Sequence, residues 1–117
     1  MLKRPYRLKR NARIQEIRRR GASWRNRWLA LSKLPSEEPT SRFAFAVSRR
    51  IGNAVTRNRV KRLIREAVRE RLAFVRGWWD VLLIARSRAR DATFEQIQRA
   101  VADLLRRSHL GDARDSM

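Results

Sequence analysis

Residues 48–72, SRRIGNAVTRNRVKRLIREAVRERL, constrain the fold more than any other stretch of the chain. After a break at Gly52 and Asn53, apolar residues recur at Val60, Leu63, Ile64, Ala67 and Val68. This i, i+3, i+4, i+7, i+8 spacing marks a helix with one buried face. Such a helix gains its stability from packing, so a sheet or another helix must cover the stripe. At 3.6 residues per turn, Asn58, Arg62, Arg65 and Arg69 project from the opposite side, with Arg57, Arg59 and Lys61 on the flanks. Thr56 is the expected N-cap, which puts Arg57, Asn58 and Arg59 in the first turn, where free N–H groups and the helix dipole attract anions. Within residues 57–71, Glu66 and Glu70 oppose seven Lys and Arg side chains, so pairing such as Arg62 with Glu66 neutralises little. The remaining repulsion calls for an external anion.

A chain of 117 residues is expected to form a single domain with one modest core. Residues 1–10 are basic and contain Pro5, the pattern of an extended arm that orders on RNA. From Asn11, a potential cap, a short helix is expected as far as Arg20, with Ile14 and Ile17 inward, Arg13, Arg18, Arg19 and Arg20 outward, and Gly21 as its stop. Residues 24–34 read as one strand, residues 35–41 as the surface loop of a hairpin, and residues 42–48 as the next strand. In that strand Phe43, Phe45 and Val47 share one face, while the small Ala44 and Ala46 on the other leave room for a helix. After Gly77 the apolar run from Trp78 to Ala85 has the character of a strand buried on both faces. A basic turn follows at residues 87–91. Thr93 and Gln96 then form a capping box in front of Phe94, Ile97, Val101, Leu104 and Leu105, an amphipathic helix. Residues 109–117 are polar and aperiodic, the pattern of a frayed tail. The order helix, strand, strand, helix, strand, helix gives an α+β class with a parallel β-α-β unit and helices on one face; the architecture expected is a small two-layer α/β sandwich with a sheet of about four strands.

The formal charge of +19 and a pI near 12 exceed what solubility requires and point to a polyanionic partner, nucleic acid first. All basic residues except Lys3, Lys9, Lys33 and Lys61 are arginines, whose planar guanidinium matches phosphate. With no cysteine there is no disulfide, thiolate nucleophile or zinc–thiolate site, as suits a reducing cytoplasm. No apolar run has the length of a signal or membrane segment, so a soluble cytoplasmic protein is expected. A protein nuclease needs converging carboxylates or a His-centred acid–base pair. Glu37 and Glu38 are adjacent in a loop, and Asp80, Asp91, Glu95 and Asp103 show no metal spacing and are expected to solvate turns or helix ends. The single histidine, His109, is expected on the surface, so neither a catalytic nor a metal site is expected. Of the tryptophans, Trp78 is assigned to the core, while Trp24, Trp28 and Trp79 suit core packing and base stacking equally.

The run IGNAVTRNRVKRLIREA closely resembles the Arg-Asn-Arg signature of the bacterial ribonuclease P protein family, matched by Arg57, Asn58, Arg59, Lys61, Arg62 and Arg65 after Gly52, Asn53, Ala54 and Val55. The likeness extends from the first basic helix and Gly21, through Val47 and Ser48, to Ile84, Ala85 and Arg86, roughly the first hundred residues. It implies a left-handed β-α-β crossover around the central helix, against the usual right-handed preference. It also implies an RNA-binding surface of Arg49, Arg50, Arg57, Asn58, Arg59, Lys61, Arg62, Arg65 and Arg69, and a cleft for the single-stranded 5′ leader of precursor tRNA at Ile14, Ile17, Arg18, Arg57 and Asn58. The implied partners are a catalytic RNA subunit and precursor tRNA, with neither DNA nor membrane. The RNA performs the endonucleolytic step and the ribonucleoprotein requires Mg²⁺. Family members tend to carry aromatic residues on the first helix where this chain has Ile14 and Arg18, which shifts the expected grip on the leader from stacking towards charge. Two other readings fit the composition: a small structural RNA-binding protein of ribosomal type, and a basic-helix DNA binder. The second is disfavoured because the apolar pattern after Ala67 does not continue as zipper heptads.

Overall fold

The computed structural model describes residues 6–8 and 10–110. Its elements are α1 (Asn11–Arg20), β1 (Ala22–Arg25), β2 (Leu29–Pro35), β3 (Arg42–Ala46), α2 (Ala54–Arg71), β4 (Trp79–Ala85) and α3 (Phe94–Arg107), with short 3₁₀ turns at Arg49–Ile51, Leu72–Phe74 and Ser87–Asp91. The four strands form one mixed sheet in the order β1-β2-β4-β3. β1 pairs antiparallel with β2, β2 pairs antiparallel with β4, and β3 runs parallel to β4, so β3-α2-β4 is the expected parallel unit. Because β4 lies between β2 and β3, residues 36–41 are a crossover and not the loop of a hairpin.

The hairpin lies earlier in the chain. Residues 24–34 are not one strand: Asn26 Oδ1 accepts from the N–H groups of Trp28 and Leu29, and Asn26 N donates to the Leu29 carbonyl, folding the chain back between β1 and β2. β3 stops at Ala46 and β4 starts at Trp79, each shorter than its apolar run. Gly77, with φ of +77°, makes the turn into β4. Gly21 ends α1 for a different reason: a Cβ there would lie 2.5 Å from the Ile17 carbonyl oxygen and 2.9 Å from that of Lys33. α1 begins at Asn11 after Arg10, with no side-chain cap. The tail is packed further than expected, since Leu110 is buried; residues 111–117, and most of the basic arm, lie outside the described residues.

Alternation along β4 divides the interior in two. Val81, Leu83 and Ala85 join Leu29, Leu31 and Phe43 beneath α2 and α3, which supply Val60, Ile64, Ala67, Val68, Ile97, Val101, Leu104 and Leu105. On the other face Leu82 meets Ala44, Leu8 and Ile17 of α1 in a much smaller cluster. Helices on one face therefore describes α2 and α3; α1 packs on the opposite face, over the small alanines of β3. Thr93 and Gln96 form the capping box of α3 as expected.

Candidate nucleic-acid interface

The N-cap of α2 is Asn53, not Thr56. Asn53 Oδ1 accepts from Thr56 N at 2.9 Å, and the helix begins at Ala54. Arg57, Asn58 and Arg59 therefore follow the first turn, and the three free N–H groups precede them. The buried face is the expected one, with Val60, Ile64, Ala67 and Val68 buried. The basic face divides into three groups with different surroundings.

Asn58, Arg62 and Arg69 are exposed, and Arg69 donates to Glu66 at 2.8 Å. That bond is the main cause holding the Glu66 carboxyl below its ordinary pKa. Arg59 is committed to the fold: its guanidinium donates to the carbonyls of Arg90 and Ala92 at 3.3 and 3.2 Å, tying α2 to the turn ahead of α3. Arg57, Lys61 and Arg65, one turn apart, are half-buried. Arg65 does not project away from the sheet as expected; its guanidinium lies 5.8 Å from the centre of the Phe45 ring.

Arg65 lines a cleft of about 220 Å³ with Arg7, Leu8, Ile14, Phe43, Ala44 and Phe45. The chain from Tyr6 runs along the free edge of β3, where Arg7 bridges Phe43 and Leu8 N donates to the Phe43 carbonyl at 2.7 Å. The Nε groups of Arg7, Arg57 and Arg65 are all buried without an acceptor. Like charges gathered over an apolar floor repel, and buried donors without acceptors cost free energy, so this arrangement is suited to receive an anion. Ile14 is half-buried beside the cleft and Arg18 is exposed, whereas Ile17 is fully buried in the small core cluster. Ile17 thus supports α1 from beneath and cannot touch a ligand.

A second basic cleft, of about 600 Å³, opens at the carboxyl ends of the parallel strands β3 and β4. Arg27, Arg50, Arg86 and Arg88 line it together with Ser48 and Ser87, and Arg49 is exposed nearby in the same turn as Arg50. Arg86 also donates to the Asn26 carbonyl. Arg7, Phe45, Arg27 and Arg88 were absent from the sequence-derived site. A usable signal for the second cleft was a serine and arginines within four residues of the end of each parallel strand, Ser48, Arg49 and Arg50 after β3 and Arg86, Ser87 and Arg88 after β4, since α/β folds bind ligands at strand carboxyl ends.

Other expected features settle into the fold. Trp78 is 61% exposed and not part of the core, while Trp24, Trp28 and Trp79 pack against the large cluster. Lys33 Nζ stands 3.8 Å from the centre of the Trp79 ring and donates to the Ser108 carbonyl at 2.7 Å, and burial lowers its pKa. Asp80 solvates no turn: it is buried and accepts from Arg13 and Arg42. His109 is exposed. Among the described residues no group of three or more His, Cys, Asp or Glu side chains is placed to hold a metal ion, and no helix is long and apolar enough to cross a membrane.

The family model for ribonuclease P matches residues 2–109 of this sequence. The chain belongs to the ribonuclease P protein family. It is 40% identical to the ribonuclease P protein component of Roseiflexus sp. (strain RS-1), over 98% of this chain and 95% of the relative. Identity to the corresponding component of Clostridium novyi (strain NT) is 35%, over 93% and 98%. Among solved structures, the RNase P protein of Staphylococcus aureus superposes with a TM-score of 0.84 at 34% identity, covering 92% of this chain and 98% of that one. The RNase P protein from Thermotoga maritima gives 0.79 at 25% identity, over 86% and 96%. As a ribonuclease P protein component, the chain is part of an endonuclease holoenzyme that acts in tRNA 5′ processing, and RNA is its partner. The ribosomal-type alternative is not favoured.

Proposed function

We propose that this ribonuclease P protein holds the single-stranded 5′ leader of precursor tRNA along the cleft bounded by α1, the edge of β3 and α2, and that the catalytic RNA meets the outer face of α2. In this reading Arg7, Arg57 and Arg65 take leader phosphates, with Asn58, Ile14 and Arg18 at the border. Arg62, Arg69, Arg49 and Arg50 face the catalytic RNA, and Lys61, between Arg57 and Arg65 on α2, adds its charge to the cleft side. Arg59 contributes through the fold, by fixing α2. The observation that carries the reading is the set of three buried, unpartnered arginine Nε donors on the arm and on one side of α2, two of them in one cleft. A phosphate oxygen satisfies such donors once the guanidinium groups turn towards it, and bidentate guanidinium contacts give the binding direction as well as affinity.

The chemical step belongs to the RNA with its Mg²⁺. Three of the protein's carboxylates are already engaged by arginines: Asp80 lies between Arg13 and Arg42, Glu16 between Arg13 and Arg20, and Asp103 between Arg106 and Arg107. A compact polycation screens repulsion between two RNAs and so raises affinity for substrate. The same reading places the assembly in the cytoplasm. Sequencing the RNA that co-purifies with the protein tests it: one dominant structured RNA and tRNAs retaining leader sequence are expected. Recovery of ribosomal RNA alone would overturn it, as would site-specific, metal-dependent cleavage by RNA-free protein.

A further inference from the structure

The first helix raises a question that its own sequence does not answer. α1 has ten residues, no side-chain cap and no acid in its first turn, so apart from the three arginines that complement the dipole in its last turn little in it favours a helix in isolation. Ile17 alone among its residues is buried, against a cluster of few side chains. Apolar contact is non-directional and does not by itself set the angle at which this helix crosses the sheet. A directional set of contacts lies at the other end of the helix.

Asp80, the second residue of β4, has a side chain only 1% exposed. Its Oδ2 accepts from Arg13 Nε at 2.8 Å, and its two oxygens accept from Arg42 Nε and Nη2 at 3.1 Å each. Arg13 is fully engaged: Nη2 donates to the Pro35 carbonyl at 2.7 Å and Nη1 to Glu16 at 2.8 Å. One guanidinium thus joins α1 to the end of β2 and the start of β4, and one carboxylate adds β3 through Arg42. A buried ion pair of this kind contributes little net stability compared with an apolar replacement, whereas its fork geometry fixes orientation.

We propose that Asp80 is a positioning residue for the leader: by holding Arg13 it sets the tilt of α1, and with it the width of the cleft beside Ile14 and Arg18. This rests on the reading of that cleft as the leader's seat. Ile14 is the next residue after Arg13, and Arg18 lies about 7.5 Å further along the axis, so a change of angle at Arg13 is carried to both. Asp80 itself touches no RNA. It lies under α1 and acts through Arg13.

Two substitutions separate orientation from charge and from general stability. Arg13→Met cuts the link between α1 and the sheet and leaves Asp80 paired with Arg42. Arg42→Met keeps the α1 link and removes the same single positive charge. Each full-length variant is reconstituted with the catalytic RNA, and its affinities for precursor and mature tRNA are compared. Arg13→Met should lower the precursor-to-mature ratio roughly tenfold, the scale on which misplaced binding groups act, with Arg42→Met within about twofold of wild type. The chain has no native cysteine, so spin labels at Gln15→Cys and Ser87→Cys report the α1 position directly. Their distance distribution should broaden in Arg13→Met and not in Arg42→Met. Equal losses of the ratio in both variants, or an unchanged ratio and distance in Arg13→Met, would overturn the proposal. A wild-type protein with no preference for precursor would instead remove the leader reading, and the label distances alone would then decide the mooring of α1.

Discussion

The two faces of the sheet are secured by different physics. Beneath α2 and α3, a continuous cluster from four elements and more buries large aliphatic side chains on both partners. Beneath α1, the cluster is small, and the helix is tied through Arg13 to Asp80 of β4 and to the end of β2. The basic helix that presents the Arg-Asn-Arg residues therefore stands on the stiff face, while the other wall of the cleft rests on ionic contacts. A change at one of those ionic contacts can shift α1, whereas α2 cannot move without disrupting the core.

The largest expected effect on stability comes from the stiff face. Ile64→Ala, at a fully buried position of α2, should cost about 2–5 kcal/mol in a urea melt and leave the precursor preference of the folded protein intact. Ile17→Ala removes the same atoms from an equally buried site, but the thin face can settle around the gap, so the cost should lie near the low end, about 2 kcal/mol. Its precursor preference should fall. A larger stability loss at Ile17 than at Ile64 would reverse the comparison.

Next in size are two arginines on α2. Arg62→Ala, at an exposed position, should change stability by no more than about 0.5 kcal/mol while weakening RNA binding. Arg65→Ala also loses its place over the Phe45 ring and should cost about 0.5–1 kcal/mol more than Arg62→Ala. Equal melts for the two would place the Arg65 side chain in solvent.

What was legible in the sequence was local. The stripe of α2, the capping box of α3 and the apolar run of β4 each follow from periodicity or a short motif, and each is present in the structure. Distant pairings were not legible. Nothing near Asp80 in sequence indicates that its partners lie 67 and 38 residues away, so it read as a turn carboxylate. The insertion of β4 between β2 and β3 is of the same kind, because adjacency in the chain favoured a hairpin that the sheet order excludes. The Arg-Asn-Arg run marked the family, but separating Arg59, bonded to two carbonyls, from Arg65, turned over a ring, required the neighbours of α2.

A smaller effect follows from acid. The hydrogen bond from Arg13 is the largest cause lowering the Glu16 pKa. A carboxyl with a lowered folded-state value stabilises above its unfolded pKa and loses that contribution as pH falls through the folded value. Protection factors for amides of α1 should therefore drop relative to those of α3, on the other face of the sheet, as pH is taken from 6 to below the ordinary glutamate range near 4. Parallel loss in both helices would mean that the faces melt together. The smallest change expected is in Arg18→Phe, which should flatten the salt dependence of leader binding by about 0.7 in the slope of log K against log salt without abolishing the preference. An unchanged slope would show that Arg18 does not meet the leader.

The most direct test of the central claim, that arginines whose Nε groups lack an acceptor grip the leader by charge, is a salt series at fixed Mg²⁺. The affinity of the reconstituted ribonucleoprotein for precursor tRNA is divided by that for mature tRNA, which isolates the leader's share. The ratio should exceed one at low salt and fall steadily as salt rises, with a slope of about 0.7 for each leader phosphate held. A ratio of one throughout, or a precursor preference indifferent to salt, would contradict the account.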